Sequence, residues 1–361
     1  MRIFFPKLDS LRFLAFFFVY WDHCIALLIP RIFDKETVSY LVPLTRLGGL
    51  GVQLFFVISG FLITYLLISE NEQKGTIDII RFYKRRALRI WPLYFFCMIM
   101  GALVFPRIMS AFTYCGNIFL GLSFLNNYDV IYNFSQCPEA QMRISWSVAI
   151  EEQFYLFWPL LFGLLIKLGN LHRYLSCLFL IAISIFFASY TTGELRYYGT
   201  LSNMGYLIAG CLGAFYIKAN PASSILNFIH KWIWLIVLIT LIATSLRYYF
   251  SWFYLPQLIL RPFLYLAIVL YFSFCIKSPV NVFDKLGKYT YGMYFYHTMV
   301  LTAIFVLFDI LKLKYNENNM ILFCAAILTL PVTIFGSILS YNFLERPFLQ
   351  LKKKLAVVQT R

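Results

Sequence analysis

Residues 11–29 read LRFLAFFFVYWDHCIALLI. At about 1.5 Å per helical residue such a run reaches roughly 28 Å, close to the ~30 Å thickness of a bilayer's hydrocarbon core. A helix on the surface of a soluble domain keeps a broad polar face. Here the ionisable residues are only Arg12, Asp22 and His23. No small-residue cleavage site follows, so the run is expected to stay in the protein rather than leave as a signal peptide. Nine further runs of this kind lie at 49–68, 90–108, 146–166, 174–190, 201–217, 232–249, 258–276, 289–308 and 320–343. The fold expected is all-α: a polytopic membrane protein of ten spans.

Composition agrees. The 361 residues are 61% hydrophobic, 20% aromatic and 13% charged, and the mean hydropathy is +0.74. Soluble domains carry roughly 25% charged residues, and disorder needs still fewer apolar ones. Lys and Arg number 31 against 16 Asp and Glu, a net charge of +15. On a soluble chain that excess would suggest nucleic acid. Here the basic residues sit in short segments between apolar runs, so no nucleic-acid partner is expected and the charge is read as facing anionic lipid. The 8 cysteines form no C-x-x-C and no Cys/His metal spacing, so no metal is expected. Cys115 and Cys137 fall in a segment placed outside the membrane and could pair there.

Loop charge gives direction. Lys74, Arg81, Lys84, Arg85, Arg86 and Arg89 lie between the second and third spans, and Lys352, Lys353 and Lys354 follow the last. With ten spans these clusters share one side, so the positive-inside rule places both termini in the cytoplasm. Residues 113–125 are apolar but too short to cross, and are read as an element dipping into the outer face. The membrane domain is drawn over 1–350 and a short basic cytoplasmic tail over 351–361, with no soluble extracytoplasmic domain.

Ionisable groups inside a span are costly and point to function. Arg12 and His23 stand eleven positions apart, about three turns and roughly 16 Å, which projects them from nearly one face. Glu151, in WSVAIEEQFYLFWP (146–159), descends from the other side to a similar depth. It is expected to orient His23 across the bundle, with Tyr155 at i+4 on the same face. Glu152 is read as an interfacial charge. Arg86 and Arg89 are three apart and present two guanidinium groups, which suits a phosphate as well as it suits lipid headgroups. Ser59, Gly60 and Thr64 are read as a close helix contact. His297 is ranked below His23, because no acid is evident at its depth.

Together these segments resemble the acyltransferase-3 family of integral membrane acyltransferases. The resemblance rests on LDSLRFLAFFFVYWDHC (8–24), GVQLFFVISGFLIT (51–64), RRALRIWPLY (85–94), the 146–159 segment, and LGKYTYGMYFYH (286–297) with LSYNFLERPF (339–348), in that order. The family's Arg-x10-His falls on Arg12 and His23, its Arg-x-x-Arg on Arg86 and Arg89, and its Trp-Ser segment on Trp146, Ser147, Glu151 and Tyr155. Val148 replaces the usual Leu, and Ser10 and Phe13 replace small residues.

The resemblance implies transfer of an acyl group, most often acetyl, from acyl-CoA to a hydroxyl of a glycan such as O-antigen or exopolysaccharide, in a bacterial inner membrane. His23, Glu151 and Tyr155 are then the catalytic candidates, with His23 as general base or acyl carrier. Arg12, Arg86 and Arg89 would hold the acetyl-CoA donor, and Ser147 and Trp146 the substrate. The acceptor would be a lipid-linked glycan arriving from the outer side. The competing expectation is a transporter or flippase of lipid-linked sugars, with His23 and Glu151 as a proton relay. A third is a non-catalytic scaffold, and oligomeric state is not readable.

Overall fold

A computed structural model describes residues 4–108, 111–133, 141–313 and 319–356, without the Leu27 side chain. Ten helical stretches are long and apolar enough to span a membrane. We number them α1 (Pro6–Ile32), α2 (Lys35–Lys74), α3 (Ile79–Ile108), α4 (Gln141–Leu165), α5 (Asn170–Tyr190), α6 (Gly193–Ala219), α7 (Ser224–Tyr249), α8 (Ser251–Cys275), α9 (Val282–Ile310) and α10 (Asn319–Lys354). Each covers one of the expected runs to within one residue at its end. Among the described residues there is no β-strand.

Lipid-facing chemistry is plain on the outside, where Phe179, Phe186, Trp234 and Phe335 are exposed. No soluble surface carries so many large apolar side chains. Inside, hydroxyls that would be orphaned bond back along their own helices. Thr244 donates to the Thr240 carbonyl at 2.8 Å, Thr329 to Ala325 at 2.8 Å and Ser337 to Thr333 at 2.7 Å, which compensates these three hydroxyls within their own helices.

Small residues set the tightest seam. α2 packs most closely against α6. A Cβ on Gly60 would run into the Leu207 backbone carbonyl, and one on Gly210 into that of Val57. Only glycine lets the two main chains approach so far.

Buried ion pairs frame one end of the bundle. Lys7 meets Asp284 at 2.7 Å, joining α1 to α9, and Ser10 donates to the same carboxylate at 2.5 Å. Asp284 is also the N3 residue of a capping box with Asn281, which fixes where α9 begins. Arg85 of α3 meets Glu70 of α2 at 2.7 Å.

Segment 113–125 does not cross. It holds a short helix, Ile118–Leu122, followed by Asn126–Asn133. The Tyr94 hydroxyl donates to the Gly121 carbonyl at 2.7 Å, and Gln153 donates to the Phe124 carbonyl at 2.7 Å, binding the segment to α3 and α4. The possible Cys115–Cys137 pair falls on Cys137, which lies outside the described residues.

At the end of α10, Arg346–Lys354 forms a continuous helix, and Lys352, Lys353 and Ala356 line the same cavity as Phe4 and Phe5. The helix is amphipathic and turns one face back onto the bundle. Residues 357–361 lie outside the described residues.

Candidate active site

A cavity of about 800 Å³ opens at the framed end and runs into the bundle between α1, α2, α3, α4, α9 and α10. Its mouth is cationic. Arg86 and Arg89 reach it from α3, a helix capped by the Asp78 side chain, which accepts from the Arg81 N–H at 2.9 Å. The guanidinium of Arg86 lies 5.7 Å from the centre of the Phe82 ring and 5.6 Å from that of Tyr155. Its Nε is buried without a hydrogen-bond partner. Among the described residues neither Arg86 nor Arg89 is paired with a carboxylate. Arg12 enters from α1 and is paired, meeting Asp9 at 2.8 Å.

Further in, the wall carries a closed hydroxyl–carboxylate triangle. Ser59 Oγ donates to Glu151 Oε1 at 2.9 Å, the Tyr155 hydroxyl donates to Oε2 at 2.9 Å, and the two hydroxyls lie 3.0 Å apart. Both oxygens of Glu151 are therefore engaged, one from α2 and one from its own helix. Ser59 sits beside Gly60 on the α2–α6 seam, so it is a site residue as well as a neighbour of the packing contact.

At the inner end, Ser147 and Tyr294 line the cavity with their oxygens 2.7 Å apart, and the Tyr294 hydroxyl also donates to the Ile144 carbonyl at 2.9 Å. Behind Tyr294, its ring centre 6.1 Å away, lies His297. His297 Nδ1 is 3.2 Å from the Met293 carbonyl, and His297 Nε2 is 3.0 Å from His23 Nδ1. The two imidazoles meet edge to edge, with centroids 5.2 Å apart and planes inclined by 25°.

These contacts fix the protons. A carbonyl only accepts, so His297 carries its proton on Nδ1, and its Nε2 must accept from His23 Nδ1. That leaves His23 Nε2 with a bare lone pair and no hydrogen-bond partner among the described residues. So arranged, His23 presents an acceptor nitrogen rather than a donor.

The expected pairing of His23 with Glu151 is thus corrected: His297 is the partner of His23, and Glu151 bonds to Ser59 and Tyr155. The physical reason is a change in winding. Trp21–Ile25, WDHCI, forms a π-helical turn, so the 3.6-residue count from Arg12 fails at His23. Arg12 faces the cavity, whereas His23 turns to α9. The cavity walls bring together Arg12, Arg86, Arg89, Ser147, Glu151 and Tyr155, but not His23 or Trp146. Trp146 is buried against the rings of Phe56, Tyr197 and Tyr198. Glu152 points away to the Trp91 indole, which donates to it at 2.9 Å. Sequence reasoning passed over Tyr294 and the lysines of the last helix, and it did not pair His297 with His23. The histidine signal was there, as a second ionisable group in an apolar span.

Residues 5–339 match the acyltransferase domain of the Acyl_transf_3 family model. The chain belongs to the acyltransferase-3 family. With its ten apolar spans, this acyltransferase-3 protein is an integral membrane protein. It is 28% identical over 333 residues to the O-acetyltransferase OatA of Staphylococcus aureus strain NCTC 8325 / PS 47, which covers 83% of this chain and 52% of that protein. A second Staphylococcus aureus protein, from strain COL and also carrying an O-acetyltransferase name, is 29% identical over 330 residues with the same coverage. The chain spans about half the length of the curated relatives it matches. No solved structure matches it.

Proposed function

We propose that this acyltransferase-3 protein is a membrane O-acetyltransferase that moves an acetyl group from acetyl-CoA to a hydroxyl of a cell-surface glycan. One observation carries the reading: a cavity with unpaired guanidinium groups at its mouth leads to a hydroxyl-lined end one residue short of a histidine with a bare lone pair. Its volume of about 800 Å³ lies within the ~300–1,000 Å³ usual for small-molecule sites. Unpaired cations facing a cavity call for an anion, and a CoA pyrophosphate supplies one in a form that guanidinium forks recognise.

In this reading the basic mouth faces the cytoplasm of a bacterial inner membrane, with both termini there, as loop charge supports. The pantetheine arm passes the Ser59–Glu151–Tyr155 triangle, whose carboxylate holds both hydroxyls in place. The thioester carbonyl reaches Ser147, whose hydroxyl swings from the Tyr294 oxygen to donate to the developing oxyanion. The acceptor, a lipid-linked glycan, comes from the opposite side. His23 Nε2 takes the proton of its hydroxyl while the oxygen forms the new C–O bond to the acetyl carbon. The C–S bond breaks, and the proton passes from His23 to the departing CoA sulfur. His297, held by the Met293 carbonyl, keeps His23 in the required tautomer, as an orienting partner does in other acyl transferring sites.

The test is CoA release from acetyl-CoA by the purified chain with a glycan acceptor. His23→Ala is expected to lower turnover by roughly 10²–10⁴-fold at unchanged membrane level, the usual worth of a general base. His297→Gln should lower kcat and shift the pH profile while leaving KM for the donor unaltered. Retained activity in His23→Ala would sink the mechanism. Failure of the wild type to bind acetyl-CoA would sink the donor and favour a carrier of lipid-linked sugars.

A further inference from the structure

The mouth of the cavity is bordered by a part of the chain that the family match, ending at residue 339, does not reach. The helix Arg346–Lys354 follows a π turn, Tyr341–Glu345. Arg85 ties its end to the bundle, donating to the Leu355 carbonyl at 3.3 Å with one nitrogen and meeting Glu70 with another. This tether selects the face that looks inward: Leu349, Lys352, Lys353 and Ala356 line the cavity, a spacing that lies on one side of a helix. Lys288 of α9 lines the mouth as well.

Charge at the mouth is out of balance. Seven Lys and Arg side chains line the cavity against three carboxylates. Two of those three, Asp9 and Glu151, are already engaged by Arg12 and by the Ser59 and Tyr155 hydroxyls. Among the described residues none of Lys288, Lys352 and Lys353 forms a salt bridge. Arg85 sets Leu355 level with the first turns of α3, so Lys352 stands within reach of both Arg89 and Arg86, and Lys353 follows it along the cavity wall. Arg89 lies about 4.5 Å further along α3, into the bundle.

We propose that Lys352 and Lys353, with Lys288, form a second anion subsite at the mouth that takes the ribose 3′-phosphate of the CoA donor. The proposal rests on the acetyl-CoA reading and extends it. In CoA the pantetheine is joined to the pyrophosphate, and the 3′-phosphate sits beyond that on the ribose. With pantetheine pointing inward, the pyrophosphate falls to Arg86 and Arg89 and the 3′-phosphate to the lysines. A phosphomonoester carries roughly 1.5–2 negative charges at neutral pH and can be met by mobile ammonium groups from several directions. An anionic lipid headgroup offers the same phosphate chemistry from the membrane side, so the test separates the two.

The measurement is binding of acetyl-CoA and of its 3′-dephospho analogue to the full chain in nanodiscs of neutral lipid. The wild type is expected to prefer acetyl-CoA by about tenfold. Lys352→Ala/Lys353→Ala should reduce that preference to less than about twofold by weakening acetyl-CoA alone. Lys352→Arg/Lys353→Arg, which keeps the charge and the fold, should retain most of it. Arg86→Ala/Arg89→Ala should weaken both nucleotides. A wild type that binds both nucleotides equally overturns the subsite and leaves the acetyl-CoA reading standing; one that binds neither overturns both. An unchanged preference in the alanine pair also overturns the subsite. So does loss of phosphatidylglycerol retention in that pair with the nucleotide preference intact, which would assign the lysines to lipid.

Discussion

Arg85 and Arg86 are neighbours in sequence and opposite in circumstance. Arg85 is held by Glu70 and by the Leu355 carbonyl. Arg86 looks into the cavity between two aromatic rings, with a buried Nε that nothing satisfies. The same division separates Lys7, paired with Asp284, from Lys352, which has no carboxylate. Lys7 and Arg85 are neutralised by the fold, whereas Arg86, Arg89, Lys352 and Lys353 meet no carboxylate among the described residues and are left for something the fold does not contain. A protein loses stability by holding charge this way, so the two sets should answer differently to substitution.

The largest effect is expected in the paired set. Asp284→Ala strands the Lys7 ammonium and removes a helix cap, and losing one partner of a buried pair costs about 3–5 kcal/mol. Thermal unfolding in detergent should show it directly, with activity per folded molecule little changed. A variant with wild-type stability and lost activity would reverse the assignment of Asp284 to the frame.

Next in size is the unpaired set. Arg86→Ala/Arg89→Ala should weaken acetyl-CoA binding by roughly 10–100-fold, the worth of one or two charge-assisted contacts. The same variant should unfold at or above the wild-type temperature, because it relieves repulsion. A clear fall in stability with unchanged donor affinity would erase the contrast with Arg85.

Smallest is Glu152→Gln, where the retained oxygen still accepts from Trp91. Turnover should stay within about twofold of wild type, as for a substitution away from cavities and networks. A large loss in a turnover assay would move Glu152 from the periphery into the site.

The bundle was legible because a bilayer imposes one length on every span, and hydropathy reports length well. The convergence of Arg12, Arg86, Arg89, Ser147, Glu151 and Tyr155 on one cavity follows from depth along straight helices, which α-periodicity gives. The histidine pair did not follow, because a π turn changes the angular count and five ordinary residues, WDHCI, do not announce one. Ser59 was read as a packing residue because a small side chain beside glycine usually is one. Lys352 was read only for its charge after the last span, and loop charge reports the side of the membrane but not whether a short helix folds back.

The glycine seam carries a last consequence. Because Gly60 and Gly210 let two main chains touch, the hydroxyl of Ser59 is referenced to the backbone of α6 rather than to neighbouring side chains. Side chains change rotamer within nanoseconds, whereas the main chain of a packed helix holds its place. The wall that bears Ser59 is therefore a fixed datum, against which Glu151 and Tyr155 are aligned by their hydrogen bonds. In bilayers of different thickness the two helices would tilt as one body, and the spacing of the triangle would travel with them unchanged.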